Sequence, residues 1–312
     1  MKIVANRKWL VTDKALAASI RSWLVAQGGE EEKVTGQYEL WRVRQRDAKW
    51  TYYTTGTLYV TDSDDPALLE AQRHIDGLIG GRFVEPSRDF LVGLDETGKG
   101  ELFGPLVLAA VVVPRALCRQ IEEIIGVADT KVRHGARYWE ELFGRVDFYR
   151  AQGLDWATAT ISPEELDRTS VNRLLDRTYQ GLLARVLERR EPKAVRVVLD
   201  DYGAGSDLRR YLQGLVSGGV EVVRENRADD RYLECRLASL VAKREQQQTL
   251  EQIRRDGRFQ IEGQQMGSGN AGDPITLAWL RAWHASGRPW PAFVKQSFRT
   301  VREIEGRAAP GE

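Results

Sequence analysis

Asp95 and Glu96 are adjacent carboxylates set between an apolar run, Phe90-Leu-Val-Gly-Leu94, and a flexible basic tripeptide, Gly98-Lys99-Gly100. Ionised carboxylates beside an apolar run need a cation or hydrogen bonds to stay charged. A divalent metal ion meets that need. The glycines let main-chain N–H groups approach a phosphate, and Lys99 adds a point charge. A second acidic pair, Asp200-Asp201, follows another apolar run, Ala194 to Leu199. An all-oxygen set of this kind suits Mg²⁺ or Mn²⁺ and not zinc. On residue types alone, the first stretch also reads as a hairpin with a solvated acidic turn, and Asp201 stands beside Asp200 as an alternative ligand. A Walker phosphate loop does not fit, because Gly98-Lys99 is followed by Gly100 rather than Ser or Thr. His74, His134 and His284 share no motif, and no Ser-His-Asp or Cys-His set is evident. The histidines are assigned to surface or packing.

Placing these acids requires strands. Phe90–Leu94 is of strand length, and Leu106 to Val113 is Val-rich, as a buried strand would be. Asp155 to Ile161, Ala194 to Leu199 and Val220 to Val223 read as three more. Between them, helices are expected over Arg115–Gly126, Tyr138–Asp147, from Ser162 or Pro163 onward, over Val171–Arg190 and over about Ser206–Leu215. A long helix carries Leu237 to Lys243, and a later one carries Trp279 and Trp283. Asp95 and Asp200 then each follow the carboxyl end of a strand. If those strands are neighbours, the two acids converge at one sheet edge.

Residues 1–80 read as a separate unit. Asp13 is placed to cap a helix running to about Gln27, with Leu16, Ile20 and Leu24 on one face. Glu30-Glu31-Glu32 reads as solvated loop. Tyr38 to Arg46 alternates, so Trp41 and Val43 share one face and Arg42, Arg44 and Arg46 the other. Strands over Trp50–Thr55 and Thr57–Thr61 follow, then a helix from Pro66 to about Ile79. Gly80-Gly81 and the polar stretch to Asp89 form the linker. The arginine face, interleaved with tyrosines and threonines, suits phosphates and exposed sugars or bases, and equally a solvated sheet.

A length of 312 residues suits two domains, and 42% hydrophobic residues allow a normal core. With 46 basic and 45 acidic residues the net charge is +1, so any basic footprint is local. Cys118 and Cys235 have no CxxC partner and read as buried free thiols of a reducing compartment. The N-terminus lacks the apolar core of a signal peptide, and the longest apolar run, Leu106 to Pro114, is too short to span a bilayer. A cytoplasmic protein with no membrane partner is expected.

Asp-Glu-Thr-Gly-Lys-Gly at 95–100, followed by Phe103-Gly104-Pro105-Leu106, resembles the first motif of the type 2 ribonucleases H (RNase HII and HIII), and the Phe-Gly-Pro form is more like HIII. Asp129-Thr130-Lys131 resembles the family's Asp-Ser-Lys motif, and Asn172 a recurring Asn. Residues 225–230 and 237–243 resemble a Lys-Ala-Asp segment followed by Ala-Ser-Ile-x-Ala-Lys. Counting back ten from Ser239 reaches Asp229 rather than Asp230. Residues 267–274 and 295–298 resemble C-terminal RNase HII segments, so ordered motifs cover 86–301. Residues 52–61 resemble a strand–Gly–strand segment of the TATA-binding-protein-like domain with which RNase HIII holds substrate.

The resemblance implies an α/β fold: an RNase H-like mixed sheet flanked by helices over 86–312, behind a small N-terminal α+β substrate-binding domain over 1–85. It implies cleavage of the RNA strand of RNA–DNA hybrids by a monomer. Asp95, Glu96, Asp200 and Asp229 would be catalytic and would hold two Mg²⁺ or Mn²⁺ ions, roughly 4 Å apart, that activate water and stabilise the leaving 3′ oxygen. Gly98, Lys99 and Gly100 would read the 2′-hydroxyl. Thr130, Lys131, Ser239, Lys243, Arg42, Arg44 and Arg46 would contact substrate. Two departures stand out. RNase HIII commonly has Glu where this chain has Asp229, which leans toward HII. RNase HII typically has a tyrosine in the C-terminal glycine-rich motif where this chain has Asn270, unless Trp279 or Trp283 replaces that ring in space.

Overall fold

The computed structural model describes residues 7–61, 65–80, 86–126 and 136–306. The chain divides into two compact units, Met1–Glu85 and Pro86–Glu312. Among the described residues no helix is long and apolar enough to cross a membrane.

The first unit runs β1 (Arg7–Leu10), α1 (Lys14–Ala26), β2 (Glu30–Glu32), β3 (Glu39–Gln45), β4 (Ala48–Tyr53), β5 (Thr57–Val60) and α2 (Pro66–Gly80). Its antiparallel sheet has the order β1-β5-β4-β3-β2. Asp13 caps α1 by accepting from the N–H groups of Ala15 and Leu16 at 2.7 and 3.2 Å. Ala17, Ile20 and Leu24 of α1 are buried, as are Trp41, Val43, Trp50, Leu58 and Val60 of the sheet. Glu30–Glu32, expected as loop, is an edge strand paired with β3. Its charges have partners: Glu31 pairs with Arg21 and Glu32 with Arg44. Charged side chains suit an edge strand because they discourage further pairing. β3 ends at Gln45, so Arg46 does not share the face of Arg42 and Arg44. It occupies the hairpin turn at φ 54 and pairs with Asp65 at 2.5 Å.

The second unit contains β6 (Phe90–Thr97), β7 (Leu106–Pro114), α3 (Cys118–Ile125), α4 (Ala136–Asp147), β8 (Asp155–Ile161), α5 (Pro163–Arg168), α6 (Val171–Leu187), β9 (Val195–Asp200), α7 (Ser206–Ser217), β10 (Glu221–Glu225), α8 (Leu233–Arg255), α9 (Pro274–Ala285) and α10 (Arg299–Ile304). Its sheet order is β10-β9-β6-β7-β8. β6, β7 and β8 form an antiparallel meander, while β9 and β10 run parallel to β6. This is the mixed sheet flanked by helices that the sequence implies. Val92 and Leu94 of β6 pack in one core with Leu175, Tyr179 and Leu183 of α6 and Leu208 of α7. Alternate residues of a strand face opposite ways, so Leu91, Gly93 and Asp95 face the other layer, which is α8.

Gly93 sets how closely α8 approaches. A Cβ there would lie 2.1 Å from the Glu234 carbonyl carbon and oxygen and 2.4 Å from the Cys235 nitrogen. These are backbone atoms and cannot swing aside. Gly93→Ala is therefore expected to destabilise the protein by about 3 kcal/mol, the upper end of the usual cost of overpacking. Urea denaturation measures it, and a loss below about 0.5 kcal/mol, the size of an ordinary surface substitution, would contradict the contact.

Candidate active site

Strand register brings the first two acids together. Leu94↔Leu199 is the last pair between β6 and its parallel neighbour β9, so Asp95 and Asp200 come next on adjacent strands. β6 does not stop at Leu94 as expected. It continues along β7 through Asp95↔Ala109 and Glu96↔Leu108 to Thr97↔Val107. The acids thus sit inside a strand that has lost its neighbour on one side. Asp95 and Glu96 then point to opposite layers. Asp95, only 7% exposed, is hydrogen-bonded by Ser239 of α8 and by the Glu96 N–H at 2.8 Å. Glu96 accepts the Tyr179 hydroxyl of α6.

The paired acids differ in their hydrogen-bond and ion-pair partners. Asp200 accepts the Arg227 N–H at 2.7 Å and so ties β9 to the turn that carries Asp229. Asp201 instead closes its own turn, accepting from Gly203 and Ala204 at 3.0 and 3.2 Å. Asp229 acts electrostatically on Asp95 and Asp200, while Asp230, paired with Arg227 at 2.8 Å, acts on Asp200 as well.

Burial pushes the Asp95 carboxyl well above the usual range, and the charges of Glu96, Asp229 and Asp200 push it further, against the Ser239 hydrogen bond. Glu96 is also raised, by burial first and by Asp200, while Tyr179 and the Lys99 charge pull it back. Asp200 is raised by burial and by Asp229 and Asp230, opposed by the Arg227 and Ala228 N–H groups. Such shifts mark negative charge that the chain compensates incompletely. A hard divalent cation would supply the missing charge, and the donors are all oxygen. By chemistry the set fits such an ion, although no three His, Cys, Asp or Glu side chains among the described residues close on one point as a ready cage.

The glycine loop lies beside these acids. Gly98 is buried at φ 96, and Lys99 and Gly100 are exposed. The Lys99 ammonium stands 5.3 Å from the Tyr202 ring centroid. Tyr202 donates to Asp176 at 2.7 Å and stacks on Tyr179 at 5.6 Å. The loop is stitched to two distant segments. Leu102 N–H donates to Gly269 O at 2.6 Å, Glu101 bridges Asn270, Gly104 N–H donates to Phe293 O at 2.8 Å, and Phe103 bridges Val294. Asn270 therefore sits where its motif predicts, next to the loop. Its side chain folds back on its own turn and accepts Gly272 N–H at 2.8 Å. Trp279 and Trp283 are 0% and 4% exposed, so neither ring is available to stack on a sugar.

Thr130 and Lys131 lie outside the described residues. Lys243 is half-buried on α8, one turn beyond Ser239. Arg42 and Arg44 share one sheet face of the first unit with Thr51 and Lys49 by register, and there the Arg42 side chain is only 12% exposed and Thr51 is buried. Tyr59 and Lys8 continue that face across β5 and β1. Glu39 pairs with Arg42 at 2.5 Å and Glu32 with Arg44, which mutes the basic character of the face. Sequence reasoning missed Tyr179, Tyr202, Asp176 and Gln246, and gave Lys295 no role beyond its place in the 295–298 segment. Only spacing offered a signal: Asp176 and Tyr179 follow Asn172 at helical intervals, and Gln246 follows Ser239 by two turns.

The ribonuclease HII family model matches residues 92–301. Ribonuclease HII of Aeropyrum pernix is 32% identical over 221 residues, which cover 69% of this chain and 90% of that protein. Ribonuclease H2 from Pyrococcus horikoshii OT3 superposes with a TM-score of 0.56 at 26% identity, covering 70% of this chain and 97% of that one. Bst-RNase HIII in complex with Mn²⁺ superposes with a TM-score of 0.57 over 97% of this chain and 98% of its own, at 18% identity, a likeness of fold.

Because Asp95, Glu96 and Asp200 all have raised values in the folded chain, the folded state binds their protons more tightly than the unfolded state. Their contribution to stability is complete below the ordinary carboxylate range, near about pH 4, and is lost as pH rises through the raised values. In EDTA, wild-type stability should therefore fall relative to Asp95→Asn between about pH 4 and 7. Asp273, whose carboxyl is held low by Ser268, shifts the opposite way in both proteins, so the difference between them carries the test. Thermal melts measure it. Parallel pH profiles for the two proteins would contradict the crowding of charge at Asp95.

Proposed function

The chain belongs to the ribonuclease HII family and is a ribonuclease H, and on that premise we propose that it is a divalent-metal-dependent endonuclease cutting the RNA strand of RNA–DNA hybrids with the substrate range of an RNase HIII. The observation that carries this reading is the register that sets Asp95 beside Asp200, with the Gly98-Lys99-Gly100 loop continuing from the same strand. Asp95, Glu96, Asp200 and Asp229 would hold the metal. When bound, Mg²⁺ or Mn²⁺ would supply Lewis-acid chemistry at the scissile phosphate, for the attacking water and for the leaving 3′ oxygen. Ser239 and Tyr179 fix the orientation of Asp95 and Glu96 from opposite layers of the fold. The main chain of residues 98–100 takes the 2′-hydroxyl by hydrogen bonds, a contact that a deoxyribose cannot return. The sheet face of the first unit with Arg42, Arg44, Lys8 and Lys49 takes phosphates of the duplex. A cytoplasmic setting accords with Cys118 and Cys235, both free and buried.

Two observations support the HIII-like range. The fold likeness to Bst-RNase HIII covers nearly the whole chain, the first unit included. Asn270 spends its amide on its own turn and offers no ring for a deoxyribose to stack on. A second reading, incision at single ribonucleotides in duplex DNA as in RNase HII, is favoured by Asp229 and by the identity to ribonuclease HII of A. pernix.

Turnover on two labelled substrates, a hybrid with several ribonucleotides and a DNA duplex with one, tests the reading. The hybrid should be cut well and the single site poorly, and Asn270→Tyr should raise single-site incision. Equal rates on both substrates would overturn the HIII-like range. Asp200→Asn should lower hybrid cleavage about 10³-fold, the effect of losing roughly 4 kcal/mol of charge stabilisation. Retained activity in that variant would remove Asp200 from the site.

A further inference from the structure

Lys295 is 0% exposed, in a segment that reaches the site from nearly two hundred residues away in sequence. Its ammonium donates to two main-chain carbonyls, Gly98 O and, at 2.8 Å, Glu101 O. These two carbonyls bracket Lys99 and Gly100. Its own N–H donates to Leu102 O at 3.0 Å. From the other side, Gln246 of α8 reaches the same loop. Its Oε1 accepts the Thr97 hydroxyl at 3.4 Å, and its Nε2 lies 2.8 Å from where a Gly98 side chain would begin.

We propose that Lys295 is a positioning residue for the reaction, holding residues 98–101 in the one shape whose main chain recognises a ribose. The inference rests on the reading of this loop as the 2′-hydroxyl reader. A reader made of main-chain groups is only as accurate as the loop that presents them, and two glycines leave this loop with more conformational freedom than side-chain-bearing residues in their place would. Hydrogen bonds from outside must therefore supply the missing restraint. A lysine buried for packing alone would be a poor choice, since desolvating an ammonium is costly and an apolar chain of the same length fills the space. The segment is itself anchored, because Asp167 accepts the N–H groups of Gln296 and Ser297 at 3.0 and 2.8 Å. Burial lowers the Lys295 ammonium to about 8, against the opposing charges of Glu101 and Asp167, so at pH 7 it keeps its proton and all three donors.

The test uses the full-length protein, with Ca²⁺ replacing the catalytic metal for binding measurements. Affinities for an RNA–DNA hybrid and for a DNA duplex of the same sequence are compared in wild type, Lys295→Met and Lys295→Arg. Lys295→Met should melt no lower than wild type, bind the DNA duplex as wild type does, and lose preference for the hybrid. Its kcat on the hybrid should fall by up to about 100-fold, the effect of a displacement near 1 Å at a reacting centre. Lys295→Arg keeps the charge on a longer arm and should show a smaller loss of the same kind, so the test survives if the Met variant does not fold. Wild-type hybrid preference and kcat in the folded variants would overturn the proposal. A wild-type protein that cleaves the hybrid yet binds hybrid and DNA duplex equally would instead remove the loop reading, and this proposal with it.

Discussion

A carboxylate almost out of water, with other acids close around it, is the constraint on which the second unit depends. Moving an ionised carboxylate into a protein interior costs several kcal/mol even after relaxation. At Asp95 the hydrogen bonds of Ser239 and the Glu96 N–H offset part of that cost, and the neighbouring charges add to it. Such a site persists when the fold built around it is stable for other reasons. Here those reasons are plain: β7 is buried almost end to end, and β6 and β9 contribute Val92, Leu94, Val197 and Leu199 to one continuous core. The apolar sheet carries the charged edge.

The same sheet gives the edge its geometry. A period of two sends Asp95 toward α8 and Glu96 toward α6. Each acid is therefore oriented by a different helix, and moving either layer alone would disturb one acid and spare the other. Gly93 keeps α8 at backbone contact, which brings Ser239 within reach of Asp95. Asp229 stands in the turn just before that helix and follows its position. The 98–101 loop is governed from a third direction by the C-terminal segments, through the Gly269, Phe293 and Lys295 contacts. Elements distant in sequence thus converge on about ten residues of strand and loop.

Much of this was legible in the sequence, and the rest was not for definable reasons. Asp95, Glu96 and Asp200 stood out as charge directly after an apolar run, but a solvated turn explained that pattern as well, and the ordered motif at 95–106 decided the reading. The choice of Asp200 over Asp201 was not readable from residue type, since both are acids at a strand end. Asp200 was preferred for its place directly after the apolar run and its match to the family's strand-end Asp, and in the structure Asp201 closes its own turn. Glu30–Glu32 was misread because three like charges suggest loop, whereas their strand forms by pairing with β3 and with Arg21 and Arg44. Arg46 continues the alternation of Arg42 and Arg44 in sequence, but a left-handed turn residue breaks it. Tyr179 and Gln246 were marked only by helical spacing, and Lys295 only by its place in the 295–298 segment. A tyrosine among leucines looks like core and a lysine near a terminus looks solvated. Their roles follow only from what folding places opposite them.

The raised carboxyls at this sheet edge fit a divalent cation. Proton release on Mn²⁺ binding tests this fit directly, by calorimetry in buffers of differing ionisation enthalpy. Metal binding to carboxylates whose pKa values are raised must expel the protons they hold. Wild type should release protons as Mn²⁺ binds, more of them as pH is lowered from 7 toward 5, and Asp95→Asn should release fewer and bind more weakly. Mn²⁺ binding with no proton release at any pH, unchanged by Asp95→Asn, would place the metal elsewhere.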